Sequence, residues 1–166
     1  VEIAPPPVTR HLKPWLPVIA CAILISWAST DAFSASHTSK YIIPALHWLF
    51  PQASAETLDR LHSIIRKIAH FTEYFLFGFL LLRAIRGEHR GWQVRWAIAA
   101  LAIAAGYSAL DEFHQSFVSS RTASPWDSLL DTTGAASALV LLWLWSRFRS
   151  LNSAGDPEHV ASVTRN

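Results

Sequence analysis

"IAHFTEYFLFGFLLLRAI", residues 68–85, decides how this chain must be read. The run is apolar and close to the about 20 residues a helix needs to cross a hydrocarbon core. Yet His70, Glu73 and Tyr74 stand in it at i, i+3 and i+4, on one helical face. An ionised carboxylate in lipid is costly, so Glu73 is expected to face a bundle interior and to pair there. Phe71, Phe75 and Phe79 form a second stripe, suited to lipid or to core packing.

Working outward, three more apolar runs appear. They are "WLPVIACAILISWAS" (residues 15–29), "WAIAALAIAAGYSAL" (96–110) and "WDSLLDTTGAASALVLLWLW" (126–145). The last is long enough to span. The first two reach that length only with their polar ends included. Arg10 and Lys13 precede the first run as in a cleaved signal, but "SWASTDAFSAS" is a loose cleavage pattern, and we read the run as an anchor. Composition agrees with a membrane protein: of 166 residues, 51% are hydrophobic and only 16% charged, against roughly 25% charged in a soluble domain. A net charge of +2, with no basic stripe, excludes a nucleic-acid binder. Cys21 stands alone inside an apolar run and forms no intrachain disulfide.

The expected fold is therefore all-α. It is a polytopic bundle of four transmembrane helices over residues 1–151, followed by a polar, disordered tail over 152–166. Between the first two spans lies a long external segment, residues 30–66. Its "KYIIPALHWLF" is expected to lie on the membrane or pack on the helices. Ser54 can cap a helix through "SAETLDRLHSIIRKI" that runs on into the second span. Lysines and arginines set the orientation. With the N-terminus cytoplasmic, Arg10, Lys13, Arg83, Arg86, Arg90, Arg95, Arg147, Arg149 and Arg165 lie inside; Lys40, Arg60, Arg66, Lys67 and Arg121 lie outside. Both termini are then cytoplasmic, and the protein belongs in the cytoplasmic membrane.

This topology gathers the polar residues at one face, the outer one. Ser108, Asp111, Glu112 and Gln115 lie at i, i+3, i+4 and i+7, and His114 is i+3 from Asp111. Ser124, Pro125 and Asp127 read as cap, first residue and acidic first turn of the last helix, with Asp131 a turn deeper. Gly134, Ala135 and Ala136 are small enough for close helix packing. Arg121, in the short loop before, is a candidate partner for the acids.

"RKIAHFTEYFLFGFLL" with "DEFHQSFVSSRTASPWDSLLDTTGA" resembles the VanZ-like family of small bacterial membrane proteins. The likeness covers roughly residues 66–142. It rests on His70, Glu73, Tyr74, Glu112, Gln115, Arg121, Asp127 and Gly134. The family often has asparagine where this chain has Asp131, and Pro-Gly where it has Ser119 and Ser120. The resemblance implies a link to resistance against the glycopeptide teicoplanin.

Two functions fit these residues. In the first, the cluster binds an amphiphilic envelope ligand: a glycopeptide, a lipid carrier or a phospholipid headgroup. Tyr74, Gln115, Arg121, Asp127 and Asp131 would make the site, and Arg121 and Lys67 would meet phosphate or carboxylate. In the second, His70, Glu73, Asp111 and Glu112 supply acid–base groups to a membrane hydrolase or transferase. No activated nucleophile is visible; a metal variant of this enzyme would use the carboxylates and His70 as ligands, though the spacing is not a strong metal signature, and no cofactor is expected. A transporter needs an acid near the midplane with access from both sides, and here the acids gather at one face. The partners expected are membrane lipids.

Overall fold

The structure, a computed structural model, describes residues 12–89, 91–117 and 124–154. Among them it is all-helical: α1 Leu16–Ala28, α2 Ala35–Leu49, α3 Ala55–Arg86, α4 Val94–Gln115 and α5 Pro125–Ala154. Short 3-10 turns, Lys13–Trp15 and Asp31–Phe33, precede α1 and α2.

α3, α4 and α5 are long and apolar enough to cross a membrane. α1 is shorter. Its 13 residues rise about 20 Å at 1.5 Å each, less than the roughly 30 Å of a hydrocarbon core. The four-span expectation is thus met in length by three helices. α3 runs unbroken for 32 residues, about 48 Å, so the helix begun at Ser54 does continue into the second apolar run. Ser54 Oγ accepts from the Thr57 amide at 3.2 Å and caps it. Gly87, at φ 56°, closes it in a conformation that L side chains rarely adopt.

α3 is the hub: it touches all four other helices, and its interface with α5 is the most extensive. Glycine makes that interface possible. A Cβ on Gly134 would collide with the Phe71 carbonyl oxygen, and one on Gly78 would stand 2.9 Å from Ala135 Cα. The small-residue packing expected around Gly134 is what the two helices use. Val18, Cys21 and Ile25 of α1 complete a core with Tyr74, Phe77, Leu81, Ala100, Ala104 and Leu139. Outside, Ile98, Leu110, Val140 and Leu141 are exposed. An apolar exterior of this kind suits a lipid solvent and not water.

α2 contains no fully buried residue. The polar opening of the external segment is helical from Ala35. It docks on the start of α3, where Thr38 Oγ1 and His62 Nε2 are 3.0 Å apart. Tyr41, Trp48 and Leu49 remain exposed on it.

Candidate functional site

The polar face of α4 is buried. Ser108, Asp111, Glu112 and Gln115, spaced to share a helical face, all point into the bundle. Each has a partner outside α4: Ser29 for Asp111 and Gln115, Ser128 and Asp131 for Ser108, and Ser124 for Glu112. Asp111 Oδ2 accepts from Ser29 Oγ at 2.6 Å and from Gln115 Nε2 at 2.9 Å. Ser29 follows the last turn of α1, so this carboxylate fastens α1 to α4. Glu112 Oε2 accepts from the Ser124 amide at 2.8 Å. That charged bond holds the entry to α5, where Ser124 Oγ in turn accepts from the Trp126 amide at 3.3 Å. The cap expected at Ser124 and Pro125 is present. Asp127, in that first turn, is half-buried and within electrostatic range of Glu112.

Asp131 sits at the centre. It is 1% exposed. Its Oδ2 lies 3.1 Å from Ser108 Oγ, which is also 3.0 Å from Ser128 Oγ. Its Oδ1 lies 3.6 Å from His70 Nδ1, an ion pair when the ring is protonated. Oδ1 has no hydrogen-bond partner among the described residues. The same is true of Tyr74 Oη, on a side chain that is 0% exposed. That phenol lies beside Ser108 and within electrostatic range of both Asp111 and Asp131. A buried polar atom left unpaired costs about 1–3 kcal/mol. Two such atoms, Tyr74 Oη and Asp131 Oδ1, lie in this cluster.

Several expected members therefore converge: His70, Tyr74, Asp111, Glu112, Gln115 and Asp131. Glu73 is half-buried and stands within electrostatic range of Cys21 on α1. His114 is exposed, as is Lys67. Arg121 lies outside the described residues. Three participants were not among the sequence candidates for ligand or catalysis. Ser108 was visible only as a member of the α4 face. Ser29 continues the buried stripe Val18, Cys21, Ile25, the one signal that marks it. Ser128 has no sequence signal beyond its place one turn before Asp131's neighbour Thr132, to which its carbonyl is bonded. Among the described residues no group of three or more His, Cys, Asp or Glu is placed to hold a metal ion.

A family described as VanZ/LLP1 matches residues 15–146. The chain belongs to the VanZ/LLP1 family. No curated protein and no solved structure matches it. The VanZ/LLP1 match includes α1 to α4 and most of α5, and every residue of the buried cluster. With its three apolar helices the chain is a VanZ-like membrane protein.

Proposed function

We propose that this VanZ/LLP1 protein binds an amphiphilic envelope ligand through the Tyr74–His70–Asp131 cluster, at the outer face of the cytoplasmic membrane. One observation carries the reading: Tyr74 Oη and Asp131 Oδ1 are buried together without hydrogen-bond partners among the described residues. A ligand that donates to Asp131 and accepts from Tyr74 satisfies both. Its apolar part stays in the lipid beside the apolar helix surfaces. A glycopeptide with its lipid tail, a lipid carrier and a phospholipid headgroup share this chemistry, and the first would link the protein to glycopeptide resistance. α1 serves as a fourth membrane segment, α2 as an external segment on the membrane surface, and the lysine and arginine distribution puts both termini in the cytoplasm.

The test is a titration of purified protein with teicoplanin, undecaprenyl phosphate and phosphatidylethanolamine. At least one is expected to bind saturably, and Tyr74→Phe and Asp131→Asn are each expected to weaken it about tenfold, near 1.4 kcal/mol. Binding unchanged in both variants, or no binding by any probe, overturns the reading. A second reading has one observation in its favour: an imidazole next to a buried carboxylate is an arrangement of general bases. In that case His70→Gln abolishes product formation from a bound probe and leaves its affinity intact.

A further inference from the structure

The opposite end of the bundle has a different chemistry. A groove of about 980 Å³ opens between the last turns of α3, the loop after it and the end of α5. Arg83 and Arg86 enter it from α3 and Arg149 from α5, while Phe79, Trp92 and Trp145 supply aromatic walls. Leu82 and Leu142 continue the apolar wall toward the bundle's middle. Glu88 is the one acid in residues 79–96 and 142–151. From His70 to Arg83 the distance along α3 is about 20 Å at 1.5 Å per residue, so this is not part of the acidic cluster.

Arginines at a helix C-terminus offset the partial negative charge of its last carbonyls. That explains Arg83 and Arg86, which stand in the last turn of α3. It does not explain Arg149, which precedes the last turn of α5. Nor does it explain why three guanidinium groups from two helices share one groove with aromatic and leucine walls. Guanidinium forks match phosphate oxygens. Indole rings favour the headgroup layer, and leucines favour an acyl chain. Basic grooves between transmembrane helices are suited to anionic headgroups.

We propose that this groove is a binding site for one anionic phospholipid. Its phosphate is held by Arg83, Arg86 and Arg149, and its acyl chain lies along Phe79, Leu82 and Leu142. The occupant's charge follows from the groove, which is lined by three guanidinium groups from two helices.

The experiment is native mass spectrometry of the full-length protein from nanodiscs of equal phosphatidylglycerol and phosphatidylcholine. Retained phosphatidylglycerol is expected to exceed phosphatidylcholine at least tenfold. The double variant R83Q/R149Q is expected to lose that preference. R83K/R149K is expected to recover part of it, which separates loss of charge from loss of fold. R147Q, an exposed arginine of the same helix outside the groove, is expected to keep it. Equal retention of the two lipids overturns the proposal, as does a loss in R147Q equal to that in R83Q/R149Q. Displacement of the lipid by millimolar inorganic phosphate overturns it in favour of a free-phosphate site.

Discussion

Ser29 has one hydroxyl proton, and Asp111 receives it at 2.6 Å. Removing it leaves Gln115 Nε2 as the side-chain donor to Asp111 among the described residues. We expect Ser29→Ala to lower stability by about 1–2 kcal/mol, read as an earlier thermal transition in detergent; an unchanged transition would show that Asp111 does not tie α1 down. Tyr107 makes the same join one turn earlier. Its phenol donates to the Ala22 carbonyl at 2.7 Å and stands 2.6 Å from Ser26 Oγ. Its partners are neutral, whereas Ser29 donates to a carboxylate, so Tyr107→Phe should cost less than Ser29→Ala. At Asp131 the sequence marked a departure from the family pattern, and the structure makes that residue the meeting point of Ser108 and His70. Burial of Ser108, Asp111, Glu112 and Gln115 was legible because helical spacing alone puts them on one side. The Ser29–Asp111 bond was not. Those residues are 82 positions apart, and no local period relates them.

Among the elements, the α3–α5 crossing is the most sensitive. Gly134→Ala drives a methyl into the Phe71 carbonyl, backbone that has little room to yield. We expect a loss of about 1–3 kcal/mol or a bundle that fails to assemble, monitored by thermal unfolding and by size-exclusion profile. Gly106 is the control. It lies in α4 with nothing within 4 Å of an added Cβ, so Gly106→Ala should be neutral or stabilising by up to about 1 kcal/mol. Equal damage at both positions would remove close approach as the explanation. The helices themselves were legible from apolar runs and caps. α2 was not, because its first half is polar and its apolar half is interrupted by Pro44. Docking on α3 through His62 supplies what its own pattern lacks.

For the whole molecule, the arrangement has two chemically distinct ends, one acidic and buried, the other basic and open. The orientation proposed for it places Glu56 outside and Glu88 inside. In a Cys21→Ser background, Glu56→Cys is expected to react with a membrane-impermeant maleimide in intact cells. Glu88→Cys should react only after permeabilisation. The reverse pattern would invert the topology and move the buried cluster to the cytoplasmic face, without altering its geometry.

By itself the sequence determined an all-helical membrane protein of the VanZ/LLP1 family, and which face of α4 would be polar. Those properties are local: length, apolar content and a 3.6-residue period decide them before any helix meets another. Only the tertiary structure decided which polar atoms meet and which do not. That Asp111 pairs with Ser29, that Asp131 lies between Ser108 and His70, and that Tyr74 is buried beside Ser108 all depend on the depth at which α1, α3, α4 and α5 cross. Gly78, Gly134 and Ala135 set that depth by letting backbones touch, and contact between distant segments has no periodicity for a sequence to display.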